Sequence, residues 1–234
     1  MGSGIETALK DLAERVIFCE RCPRLRAYCQ QIARVKKRAF IDWDYWEKPL
    51  PGFGDVHAKI LIIGLAPAAH GGNRTGRMFT GDSSGDWLIR ALYEAGFANQ
   101  PISVGKDDGL RLKSAYITAT VRCAPPSNKP TKEEIENCSS YLTKELALLR
   151  EVKLVLTLGR VAFKAYLTHL PQCSVTRRMM FKHGALYGIG AKTPLLIASY
   201  HPSRQNTFTG RLTWEEWTHI FAEVRRFLAL GLDS

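Results

Sequence analysis

Residues 62–88 read IIGLAPAAHGGNRTGRMFTGDSSGDWL. The stretch leaves an apolar run, crosses a Gly-rich polar loop and enters a segment with helical spacing, which is the pattern of a strand–loop–helix unit. The run itself, KILIIG (59–64), does not alternate, so it reads as a strand covered on both faces. SAYITATV (114–121), KLVLTLG (153–159) and PLLIASY (194–200) have the same character. Helical patterns separate them: SGDWLIRALYEAGF (84–97), TKEEIENCSSYLTKELALL (131–149), GRVAFKAYLTHL (159–170) and TWEEWTHIFAEVRRFLAL (213–230). The second of these opens with a capping-box pair, Thr131 and Glu134. Alternating strands and helices predict an α/β domain, three-layered α/β/α, around a central four-stranded parallel sheet. Residues 1–50 read as a helical N-terminal appendage of this single 234-residue domain.

In such sheets ligands bind beyond the carboxyl ends of the strands. Three unusual loops fall there: GLAPAAHGGNRTGRMFTGD (64–82), RCAPPSNKPT (122–131) and HPSRQN (201–206). Neither a dinucleotide fingerprint nor a phosphate loop is present, and GIGAKT (188–193) has the wrong spacing and precedes a strand. The loops supply an aromatic ring (Phe79), carboxyl and amide groups (Asp82, Asn128), imidazoles (His70, His201) and cations (Arg74, Arg77, Lys129, Arg204). Two of these groups carry an ordinary alternative: Phe79 as core, and Asp82 as the cap of the following helix.

The chain carries 33 Lys and Arg against 22 Asp and Glu, a net charge of +11, which favours a polyanionic partner such as nucleic acid or a membrane surface. Much of the excess opens the chain, in RCPRLRAYCQQIARVKKR (21–38). No apolar run is long enough for a membrane span, and acidic residues interrupt any secretory signal, so a cytosolic protein is expected. Six cysteines lie at 19, 22, 29, 123, 138 and 173. In that compartment the Cys19–Cys22 pair with Cys123 and Cys138 suggests a metal or cluster before disulfides. Zinc and a four-iron cluster both accept four thiolates, so spacing leaves the two open.

The long first loop, ITATVRCAPPSNKPT (117–131) and HPSRQN, in this order, closely resemble the family 5 (type B) uracil-DNA glycosylases; WEKPLPGFGD (46–55) and the cysteines fit the same family. The resemblance implies an α/β/α fold and a [4Fe–4S] cluster held by Cys19, Cys22, Cys123 and Cys138, with Cys29 and Cys173 as ordinary thiols. It implies DNA, double- or single-stranded and containing deaminated bases, as partner, and Phe79 as the ring that holds the base. A base inside a duplex must be flipped into such a pocket before chemistry.

Related glycosylase families carry an acid or amide where this sequence has Ala66, and a base-reading asparagine where it has Ala119. A methyl group neither polarises water nor stabilises a cationic sugar. The expected catalytic set is therefore Asp82, Asn128 and His201, with Ala66, Phe79 and Ala119 against the base. His201, a donor at a strand end, suits the charge on a departing base. His70, Arg74, Arg77, Lys129, Arg204, Gln205 and Asn206 are expected to contact DNA. Loss of the base-reading amide predicts relaxed selectivity, with excision of uracil and of hypoxanthine. No lysine stands out as a Schiff-base nucleophile, so a monofunctional glycosylase is expected. A monomer without membrane association is expected as well. The rival reading is a non-catalytic, metal-stabilised nucleic-acid-binding protein.

Overall fold

A computed structural model describes residues 2–170, 179–190 and 193–230; Cys173 lies outside them. The four apolar runs form the strands β2 (Ile60–Gly64), β3 (Ala115–Ala119), β4 (Leu154–Leu158) and β6 (Leu195–Ser199). They are mutually parallel, in the order β3-β2-β4-β6. The sheet has six strands instead of the expected four. Short antiparallel strands, β1 (Phe53–Gly54) on β3 and β5 (Ala185–Tyr187) on β6, close its two edges. Segments of two and three residues carry too little periodicity to be read as strands.

Side chains alternate across a strand, so each buried run feeds two cores. Ile60 and Ile62 pack with Leu88, Leu92, Trp217 and Phe221, from α4 (Ser83–Glu94) and α8 (Trp214–Leu230). Leu61 and Ile63 face the other way, onto Leu9, Leu142, Phe163 and Tyr166. Those residues come from α1 (Gly2–Ile17), α5 (Lys132–Leu148) and α6 (Arg160–Thr168). Three layers result. The capping box forms as read: Thr131 Oγ1 accepts from Glu134 N, and Glu134 Oε2 accepts from Thr131 N.

The N-terminal region is more than an appendage. Besides α1 it contains α2 (Pro23–Val35) and a segment, 36–50, laid over the first loop. Trp46 N and Glu47 N donate to the carbonyls of Arg74 and Asn73, and Asn73 Nδ2 donates to Cys29 O. The first loop thus has a second wall built by the start of the chain.

Chain order reverses at β2, since β3 lies on one side of it and β4 on the other. A crevice opens at the carboxyl ends of strands at such a point. Beneath it, Arg122 Nη2 donates to Glu145 Oε2 at 2.6 Å, and Thr118 Oγ1 donates to the same oxygen. Both charged groups are fully buried, and Arg122 Nε and Nη1 have no partner among the described residues. Removing one member leaves the other charge alone in a medium that solvates it poorly. Glu145→Ala is therefore expected to lower unfolding free energy by about 3–5 kcal/mol, read from urea denaturation midpoints.

Candidate active site

A cavity of about 440 Å³ occupies the crevice, lined by the segments that leave β2, β3, β4 and β6. Leu65, Ala66, Pro67, Ala68, Met78 and Phe79 form one wall, and Ala119, Leu158 and Val161 extend it. Asp82, Ser84, Ser127, Asn128, Arg160, His201, Ser203 and Gln205 supply the polar groups. The expected catalytic and base-binding residues, Asp82, Asn128, His201, Ala66, Phe79 and Ala119, all line this one space.

Phe79 stacks on His201, with ring centroids 5.8 Å apart and planes 29° from parallel. Its backbone takes φ +50°, which is costly for an aromatic residue and persists only where surroundings fix it. Gly64 is part of that surrounding: a β-carbon there would lie 2.8 Å from Phe79 Cζ. His201 has no side-chain hydrogen bond among the described residues, and burial pushes its pKa down to about 4. The imidazole is neutral at pH 7, with one N–H to donate. The turn Pro126–Asn128 brings Asn128 to the rim, with Ser127 at φ +53° and Asn128 at φ +56°. Two successive left-handed non-glycine residues there hold the amide in a turn that an unconstrained chain would avoid.

Asp82 is at once helix cap and cavity residue. Its Oδ1 accepts from Ser84 N at 3.0 Å and Gly85 N at 2.9 Å, closing the first turn of α4. Oδ2 has no hydrogen-bond donor among the described residues. Burial raises the carboxyl pKa, while the two backbone N–H groups and the Arg74 charge oppose the rise.

Four of the cations and polar groups expected on DNA instead bond to the protein itself. Arg74 lies between the rings of Phe40 and Trp43, its Cζ 3.9 and 4.1 Å from their centroids. Its Nε and Nη2 donate to the carbonyls of His70 and Gly81. Arg77 is buried, bound through Nη2 to both oxygens of Asp108 and to Ser103, and through Nε to Thr80. Both arginines hold the loop in shape, and the Arg77 guanidinium is committed to protein partners through all three of its nitrogens. His70 Nδ1 pairs with Tyr45 Oη at 2.8 Å, away from the cavity lining. Asn206 Nδ2 donates to His201 O, so this side chain braces the backbone of the loop that follows β6. Gln205 lines the cavity, and Lys129 and Arg204, next in sequence to lining residues, are exposed. Arg160, exposed on the first turn of α6, lines the cavity too. Its signal was the GR dipeptide directly after the third apolar run, which sequence reasoning assigned only to a helix.

The cysteines gather beside the site. Cys22, Cys29, Cys123 and Cys138 share an apolar cluster with Leu25, Val121 and Ala124, against which Ala66 packs. Cys19 packs with Leu12, Val16 and Tyr141 next to it. Asn137 Nδ2 points to Cys22 Sγ at 3.7 Å, and the Arg122 backbone N–H donates to Cys138. Among the described residues no three His, Cys, Asp or Glu side chains are disposed to hold a single metal ion. The donor chemistry, soft thiols in an apolar shell with N–H groups directed at sulfur, fits an iron–sulfur group.

Residues 51–225 match the family model for the uracil DNA glycosylase superfamily. The chain belongs to that superfamily. A type-5 uracil-DNA glycosylase of Thermus thermophilus is 50% identical over 212 residues, 91% of this chain and 94% of its own. One from Mycobacterium leprae is 46% identical over 231 residues, 98% of this chain and all of its own. A type-4 uracil-DNA glycosylase of Archaeoglobus fulgidus is 31% identical over 199 residues, 84% of this chain and 82% of its own.

Because the folded His201 pKa lies below the usual 6.5, the unfolded chain takes up a proton first as pH falls. The stabilising effect of the neutral ring is complete above pH 6.5 and is lost between 6.5 and about 4. Histidine NMR is expected to assign His201 a neutral ring at pH 7 and a midpoint near 4. A midpoint at the ordinary histidine value would contradict desolvation of the ring.

Proposed function

We propose that the protein is a monofunctional DNA glycosylase that excises uracil in base excision repair and leaves an abasic site. The observation that carries the reading is the meeting, in one crevice, of a neutral His201, the stacked Phe79 ring and an unbonded Asp82 oxygen. A flipped uracil would slide against Phe79. His201 donates to O2 as the C1′–N1 bond breaks and its electron pair moves onto the base. A preorganised donor of this kind contributes on the order of 3 kcal/mol. Asp82 Oδ2, with Asn128 at the rim, orients the water whose oxygen forms the new C1′ bond; as its O–H bond breaks, the proton passes to the carboxylate and from there to the departed uracil anion, and the carboxylate faces the positive charge developing on the sugar.

Ala66, Ala119, Met78 and Leu158 give the pocket apolar walls, so selection rests on shape more than on a fixed hydrogen-bonding edge. That supports excision of hypoxanthine beside uracil. Lys129, Arg160, Arg204 and Gln205 hold the DNA, single- or double-stranded. No helix among the described residues is long and apolar enough to cross a membrane. We also propose that the protein is a cytosolic monomer. Alkaline cleavage of uracil- and deoxyinosine-containing oligonucleotides, at enzyme excess, tests both parts. Wild type is expected to yield abasic product from each, and His201→Ala or Asp82→Ala to slow uracil excision about 10²-fold or more. Intact deoxyinosine would remove the relaxed selectivity alone. Intact uracil would leave a nucleic-acid-binding module as the better account.

We also propose that Cys19, Cys22, Cys123 and Cys138 hold a [4Fe–4S] cluster. When bound, it supplies thiolate cross-links among α2, the loop after β3 and α5; Cys29 stays outside the set. Purified protein is expected to be brown, with about four irons per chain, and Cys123→Ala to lose the colour and lower Tm. A colourless protein containing zinc would overturn this.

A further inference from the structure

Gly71 precedes the four-residue helix α3 (Gly72–Thr75) in the middle of the first loop, outside the cavity lining. A β-carbon built on it would lie 2.0 Å from Asp82 Oδ2, 2.9 Å from Cγ and 3.0 Å from Cβ. Asp82 cannot simply swing away, because its Oδ1 is committed to the N–H groups of Ser84 and Gly85. Rotating the carboxylate to make room would break the cap of α4. The same loop residue is held from behind, Gly71 N donating to Ala68 O and Gly71 O accepting from Arg74 N and Thr75 N.

We propose that Gly71 is a positioning residue of the excision reaction, its bare α-carbon forming the seat that fixes the Asp82 carboxylate and keeps Oδ2 as the unbonded oxygen. This rests on the reading of Asp82 as the group that orients water. The seat acts sterically: no L side chain fits between the loop and the carboxylate.

Two crossed measurements test it. For activity, Gly71→Ala is expected to slow single-turnover uracil excision roughly tenfold or more, with affinity for undamaged duplex unchanged, since small misplacements of reacting groups are costly. In an Asp82→Asn background the same substitution is expected to add nothing to the loss. For stability, Gly71→Ala lowers Tm in the wild type, but that loss disappears in Asp82→Ala, which removes the atoms at 2.0 and 2.9 Å. An equal Tm loss in both backgrounds, or an equal rate loss in both, overturns the proposal. Should Gly71→Ala fail to fold, recovery of folding in the double variant supports the seat and continued failure overturns it. If Asp82→Asn keeps the full rate, the reading of Asp82 fails instead, and the Tm cycle still decides the seat.

Discussion

The two hydrogen bonds that Asp82 Oδ1 accepts at the start of α4 set the geometry on which the site depends. They join the end of the first loop to the first turn of a helix whose Leu88, Ile89 and Leu92 are locked into the core. A carboxylate at a helix N-terminus is favoured by unpaired N–H groups and by the macrodipole. Burial works against that charge, and the two effects act on one group. The carboxylate therefore has little freedom to turn, and its second oxygen is held still without being used up.

The loop needs this anchoring because its start is weak. Leu65, Ala66, Pro67, Ala68 and Ala69 offer no side-chain hydrogen bond, so rigidity comes from elsewhere. The segment 36–50 provides it through backbone bonds to Asn73 and Arg74 and through the Phe40–Arg74–Trp43 stack. A guanidinium between two rings gains cation–π attraction on both faces while its edge bonds two carbonyls. Asn73 then ties the loop to Cys29 on α2, the helix that follows Cys22. The cysteine centre and the site are two ends of one packed body, which gives the N-terminal cysteines a mechanical connection to the cavity.

What the sequence discloses here follows what its local patterns encode. The four parallel strands were legible because burial on both faces demands uninterrupted apolar runs, and the capping box because its two partners sit three residues apart. The convergence of Asp82, Asn128 and His201 followed from strand ends alone. Arg74 and Arg77 were misread because charge in a Gly-rich loop looks the same whether its partner is phosphate or protein. Their real partners are Phe40 and Trp43, some thirty residues upstream, and Asp108, thirty-one residues downstream. No periodicity links such positions. Asp82 posed the opposite problem: cap and catalytic residue looked like alternatives, whereas the cap takes only Oδ1 and leaves Oδ2 for the proposed role.

The charge state of the pocket bears on why Ala66 is tolerable in the proposed reaction. With His201 neutral, the positive charge that acts on Asp82 comes from Arg74, which is bound to the carbonyl of the neighbouring Gly81. Electrostatic attraction between a carboxylate and a developing cation strengthens as water is excluded. A flipped base seated on Phe79 would exclude it, leaving the sugar between a carboxylate on one side and a hydrogen-bond donor at the departing base on the other. A protonated histidine would favour the leaving base more strongly, but it would also oppose the positive sugar a short distance away. A neutral donor avoids that conflict. The carboxylate can then act from the far end of the loop, and the position held by Ala66 is free to serve as an apolar wall for the base.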